Sequence, residues 1–161
     1  MSSGIVAFRV DDRMLHGIVA TQWVPSCKAT RAMVIDPPSS VNDIVRSSLK
    51  MACPAGVALS VLDTEKAAEN ILAEKYASQR VFCVFRYIKW AYILFQAGVK
   101  IPQLNLGNVT QNKGETLELN KTVRVSPEEK SMLREMRDAG VIITVRFAID
   151  DREVNVGKLL D

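Results

Sequence analysis

The chain is 161 residues long, 48% hydrophobic and 24% charged, and its 21 basic and 18 acidic residues leave a net charge of +3. That length suits one ordinary domain spanning 1–161, able to bury about 70% of the surface that its unfolded chain exposes. The small, scattered positive charge argues against a nucleic-acid binder, and the longest apolar run, Trp90 to Phe95, is far too short to enter and cross a membrane.

At the N-terminus no positively charged segment leads into an apolar core, so no secretory signal is expected. The three cysteines, Cys27, Cys53 and Cys83, are widely spaced and odd in number. They match neither a disulfide framework nor a metal-ligand pattern, and the economical reading is a cytoplasmic protein with reduced, mostly buried thiols.

In chain order, the first apolar run predicts a strand over Ile5 to Val10, followed by a helix from Gly17 to Pro25 and a strand from Arg31 to Ile35. Asp36-Pro37-Pro38-Ser39 reads as a loop, since prolines continue neither element. A helix from Ser40 to Met51 then leads past the breakers Pro54 and Gly56 to a strand over Val57 to Leu62. Next come a helix from Thr64 to Tyr76, a strand from Arg80 to Phe85, and a helix from Ile88 to Ala97 that Gly98 ends. Strands over Gln103 to Leu106 and Thr122 to Val125 precede the clearest helix, Pro127 to Ala139. Ser126 caps it, Pro127 takes its first position, Glu129 completes a capping box, and Gly140 stops it. The last strand covers Val141 to Phe147.

Several of these strands are continuously apolar rather than alternating, as expected when helices cover both faces of a parallel sheet. The pattern predicts a single-domain, doubly wound α/β fold with a mostly parallel sheet of about seven strands. Right-handed crossovers then bring the strand-to-helix loops to one rim. Those loops are at Asp11 to His16, Asp36 to Ser39, Asp63, Arg86 to Tyr87, and Gly107 to Asn112.

The rim carries the only histidine of the chain, His16, in Arg9-Val10-Asp11-Asp12-Arg13-Met14-Leu15-His16-Gly17. A strand-to-helix crossing is where doubly wound sheets place ligand sites. At a helix start, free N–H groups and the dipole favour a phosphate, so a phosphoryl group on His16 beside Gly17 would find donors aimed at it. Arg13 offers a planar fork for phosphate oxygens, or alternatively a salt bridge to a neighbouring aspartate. Asp11 or Asp12 could accept a bond from the ring and fix its tautomer. A histidine that attacks phosphorus must be neutral, so transfer should weaken as the ring protonates. The plain alternative is a histidine packed at a turn among solvated charges.

Other groups are weaker signals. Gly107-Asn108 with Asn112-Lys113-Gly114 could cradle an anion, but its residues fit a turn between strands better. Arg86 and Asp36, at strand ends, would sit at the same rim. Trp90, Tyr92 and Phe95 have helical spacing and fit a helix core better than a sugar-stacking platform. With one histidine, no Ser-His-Asp set, paired-carboxylate or metal site can be assembled.

The segment from Phe8 to Gly17 resembles the active-site segment of the IIB components of the mannose/fructose/sorbose family of bacterial phosphotransferase systems. The resemblance continues through Thr21-Gln22-Trp23-Val24, Ala32-Met33-Val34-Ile35-Asp36, Leu49-Lys50-Met51-Ala52-Cys53-Pro54-Ala55-Gly56-Val57, and Ala97 to Asn108. It implies that His16 is phosphorylated by component IIA and donates to a sugar bound by the membrane components IIC and IID. It makes Arg13 the phosphate-stabilising partner and Asp11 the group orienting the histidine. Asp12, Gly17, Asp36, Arg86, Gly107 and Asn108 are rim candidates. No cofactor or metal is implied, and the location is cytoplasmic, peripheral to the membrane permease complex. The first strand begins close to the start of the chain, so a free-standing IIB is expected rather than a IIA–IIB fusion. Two departures stand out: Ile18 replaces a common glutamine, and Pro37-Pro38 follow Asp36 where the loop is often acidic. They leave open a diverged binding or regulatory module that phosphorylates no sugar. A third reading is a phosphate-metabolite binder without a covalent step.

Overall fold

Strand β4 (Val81–Phe85) is buried along its whole length, and the reason is its place near the middle of a seven-stranded sheet. The computed structural model describes residues 3–161. The sheet order is β3 (Ala58–Leu62), β2 (Arg31–Ile35), β4, β1 (Ile5–Asp11), β5 (Gln103–Asn108), β8 (Ile142–Val145) and β9 (Val154–Asn155). Every pairing is parallel except β8 with β9.

Alternation along each strand sorts side chains between two cores. On one face Ala32, Val34, Phe82 and Val84 pack with Leu15, Val19, Trp23 and Leu49, beneath α1 (Val24–Ser26) and α3 (Asp43–Ala52). On the other, Met33, Ile35, Cys83 and Phe85 pack with Ile71, Leu94 and Leu133 of α4 (Thr64–Leu72), α5 (Ile88–Gln96) and α6 (Pro127–Asp138). The neighbours β1 and β4 therefore send their connections to opposite faces, which opens the sheet's switch point at their carboxyl ends.

The expected fold class holds, with local corrections. The expected strand near Thr122 is β7 (Val123–Val125), which pairs with β6 (Leu117–Asn120) as a separate antiparallel ribbon. The seventh strand of the sheet is instead the two-residue β9, too short to leave a periodic signal. The run expected as a loop, Asp36 to Ser39, folds as a helical turn, α2 (Pro37–Ser40). Asp36 caps it by accepting the Ser39 N–H, and Pro37 stands in the first turn, where no N–H is needed. The expected helix after Gly17 is a π-helical turn, Val19–Trp23, running into the short α1. Pro25 lacks an N–H and its ring crowds the carbonyl four residues back, so the turn widens and Val24 N–H bonds Val19 O. The helix expected to reach Tyr76 stops at Leu72, and Tyr76 folds back so that its hydroxyl accepts from Asn70 Nδ2 at 3.0 Å. The capping box at Ser126 and Glu129 is present.

Candidate active site

Arg9 and Asp11 lie two residues apart on β1 and so point to the same face. Both are buried, Arg9 at 1% exposure and Asp11 at 0%. Arg9 Nε and Nη2 donate to Asp11 Oδ2 at 3.3 and 3.0 Å. Its Nη1 donates to Asn105 Oδ1 at 2.7 Å and Arg146 O at 2.9 Å, and Nη2 reaches Phe147 O at 2.9 Å. The Trp23 ring covers the guanidinium at 4.4 Å. Burial pulls the Arg9 guanidinium below its usual range, and the Asp11 charge opposes that shift.

With one side of Asp11 held by Arg9, the rest of the carboxylate takes hold of Arg13. Oδ1 accepts the Arg13 backbone N–H at 3.0 Å and Nε at 3.3 Å, while Oδ2 accepts Nη2 at 3.2 Å. The other side of the Arg13 guanidinium rests on the Phe147 ring at 4.9 Å. Arg13 keeps 36% of its side chain exposed, so it is aimed outward by a buried acid. A Cβ built on Gly17 would stand 3.7 Å from Arg13 Nη1, which puts the guanidinium beside the turn after His16.

His16 is half-buried and Gly17 exposed. Gly17 takes φ +57°, a region open to glycine, while Met14 takes φ +58° without that freedom. Burial of Met14, with its sulfur packed 3.5 Å from Ser39 Oγ, holds that turn in place. The His16 carbonyl accepts Val19 N–H at 3.3 Å, and its Nε2 lies 3.5 Å from Ser48 Oγ on α3.

The structure thus places the Arg13 guanidinium beside Gly17, the residue after His16, but changes the part expected of Asp11. Both Asp11 oxygens serve arginines, so Asp11 positions Arg13, and the polar neighbour of the imidazole is Ser48. Asp12 is likewise engaged: it accepts Asn108 Nδ2 at 2.6 Å and the Thr110 N–H and hydroxyl at 2.9 and 2.8 Å. Asp12 and Asn108 therefore tie the β1 loop to the β5 loop. Gly107 is buried against Arg9 and makes room for its guanidinium, rather than cradling an anion. Asp36, at 0% exposure, accepts Ser39 Oγ at 2.5 Å, Arg86 Nη1 at 3.3 Å and Trp90 Nε1 at 3.1 Å. Asp36 and Arg86 accordingly join the ends of β2 and β4 to α5, and Trp90 belongs to that junction.

Sequence reading did not single out Ser48, Asn105 or Phe147, which come from distant elements. It could have weighed Arg9, because a charged residue inside an otherwise apolar buried strand must have partners. On α3, which carries Ser48 to His16, Ile44 and Met51 are exposed at 83% and 88%. Ile44, Ser48 and Met51 share one helical face, so the imidazole borders an uncovered apolar strip. Among the described residues no three His, Cys, Asp or Glu side chains converge as a metal site, and no helix is long and apolar enough to cross a membrane.

The family model described as "PTS system sorbose subfamily IIB component" matches residues 5–161. The sorbose-specific EIIB component of Lacticaseibacillus casei is 28% identical over 157 residues, covering 98% of this chain and 95% of that protein. The sorbose-specific EIIB component of Klebsiella pneumoniae is 29% identical over 152 residues, covering 94% and 92%. The mannose-specific EIIAB component of Escherichia coli K12 is 28% identical over 94% of this chain, which spans 47% of that longer protein. The crystal structure of the IIB domain of the K. pneumoniae sorbose permease superposes with a TM-score of 0.88 at 28% identity, covering 98% of this chain and 95% of that one. On sequence, fold and the order of its elements, the chain belongs to the sorbose subfamily of IIB components of the phosphotransferase system, a family of phosphotransferases.

Proposed function

We propose that His16 carries a phosphoryl group, received from component IIA and passed to a sugar bound by the membrane components IIC and IID. One observation supports this most: the sole imidazole of the chain stands half-open at the sheet's switch point, next in sequence to Gly17, which the Arg13 guanidinium aimed by the buried Asp11 approaches. Beyond the nucleophile itself, phosphoryl transfer asks of the protein mainly positioning and charge stabilisation. The imidazole supplies the nucleophile, and Arg13 supplies a fixed positive fork for the equatorial oxygens. On this reading the chain works as one unit over 1–161, in the cytoplasm, against the inner face of the permease.

Reconstitution tests it. Phosphoenolpyruvate, the two general phosphotransferase proteins and a cognate IIA are mixed with this chain or with its His16→Ala and His16→Gln variants. An acid-labile, base-stable phosphoryl group on the parent alone, chased onto sugar by membranes holding IIC and IID, is the expected result. Label retained by either variant removes His16 from the role. An unlabelled parent beside labelled IIA would favour a diverged binding or regulatory module, the reading that Ile18 in place of glutamine keeps in view.

A further inference from the structure

We infer that Ser48 is a positioning residue for His16: its hydroxyl oxygen accepts the Nε2–H of the imidazole and leaves the Nδ1 lone pair to face the incoming phosphorus. This rests on the reading of His16 as phosphoryl carrier and adds the group that sets the ring. A neutral imidazole has one N–H and one lone pair, and whichever nitrogen is bonded as donor decides which one attacks. The acids nearest in sequence are engaged elsewhere, Asp11 with Arg9 and Arg13, Asp12 with Asn108 and Thr110. Ser48 Oγ stands 3.5 Å from Nε2, close enough to take this part with a small adjustment of the ring.

The serine is well mounted for it. Helix α3 starts at an Asn42 cap that accepts the Val45 N–H at 3.1 Å. Leu49, beside Ser48 in sequence and at 0% exposure, pins the helix to the sheet. Arg46 ties the same helix to Ser40 O and Val61 O at 3.0 and 3.4 Å. The Ser48 side chain itself is exposed, so packing does not require it. Its backbone is fixed, and its hydroxyl meets the ring.

In the transfer step the Nδ1 lone pair forms the N–P bond, and the donor's bond to phosphorus breaks with its electron pair leaving on the donor. The imidazole gains positive charge and keeps its Nε2 proton, so the bond to Ser48 Oγ strengthens as charge develops. When the group moves on, the N–P electron pair returns to Nδ1 and the ring is neutral again.

A single histidine makes the test clean. Two-bond proton–nitrogen correlation on the ¹⁵N-labelled protein reports the ring of His16 alone, and the rate of labelling by phosphorylated IIA reports function. The parent should show only the Nε2–H tautomer. Ser48→Ala, a favourable change on an exposed helix face, should admit the Nδ1–H tautomer and slow labelling about tenfold. Ser48→Thr should restore the tautomer and most of the rate. A Ser48→Ala variant with unchanged ring signals and rate, or a parent ring protonated on Nδ1, overturns the inference. A parent that takes no label beside labelled IIA defeats the carrier reading instead, and the ring signals still decide whether Ser48 holds Nε2.

Discussion

The guanidinium of Arg9 lies so close against Gly107 that a Cβ on the glycine would stand 2.0 Å from Arg9 Cζ. A long side chain can usually move aside, but this one is buried and bonded to Asp11, Asn105 and two carbonyls. Gly107→Ala should therefore destabilise the fold by about 2–3 kcal/mol, through overpacking and the bonds lost when Arg9 shifts. Urea unfolding measures it. The effect should shrink when Arg9 is replaced as well, since the two sites touch and their costs do not add.

Removing the charge of the buried acid is expected to cost both stability and transfer. Asp11→Asn leaves Arg9 buried without its ion partner, a loss of about 3–5 kcal/mol for a broken buried pair. It also releases Arg13, so the residual folded protein should accept phosphate slowly. Arg13→Ala, at a half-open site, should leave the unfolding midpoint nearly unchanged while transfer falls by about 10²-fold or more. Arg13→Lys should recover little, because a single ammonium cannot match the fork held by Asp11. Comparing unfolding curves with labelling rates separates the two roles.

The apolar strip beside His16 predicts a surface effect. Ile44→Asp or Met51→Asp should leave stability within about 0.5 kcal/mol of the parent, as exposed substitutions do. Labelling by IIA at limiting concentration should slow about tenfold and recover at saturating IIA, the mark of weakened docking rather than weakened chemistry. Equal loss at all IIA concentrations would show that the strip acts on the chemical step.

Burial pushes the pKa of all three thiols up, Cys83 most strongly, and so disfavours the thiolate. A thiol whose folded value lies above its unfolded one stabilises the fold below the unfolded value and withdraws that support as pH rises. The unfolded thiol ionises near pH 8.5, so stability should decline from about that pH upward. Cys83→Ala should flatten this alkaline limb in urea titrations. At neutral pH, iodoacetamide should modify Cys83 only after unfolding, since it is buried at 0% exposure and un-ionised.

Which parts of the molecule were legible in the sequence follows from how local their causes are. The run Val81 to Phe85 announces a doubly covered strand, and Ser126-Pro127-Glu128-Glu129 writes its own helix start. The turn at Pro37 was misread because proline's dislike of helices does not extend to their first turn. Strand β9, two residues long, exists only because β8 offers it an edge. At the site, Arg9-Val10-Asp11-Asp12-Arg13 places an arginine two positions to either side of Asp11, a spacing that already hints at the observed pairing. Nothing local could place Ser48 beside His16, because that meeting depends on how α3 crosses the sheet after β2.

The loop that carries His16 is moored on both flanks, to α2 and α3 through Met14 and Ser48, and to the β5 loop through Asp12. Those moorings descend from strands lying on opposite sides of β1. A relay built this way has no swinging arm. On the carrier reading proposed above, each exchange would be completed by the visiting partner's approach, and speed would be set by how well two foreign surfaces, in turn, present their reacting atom to a ring on a moored loop.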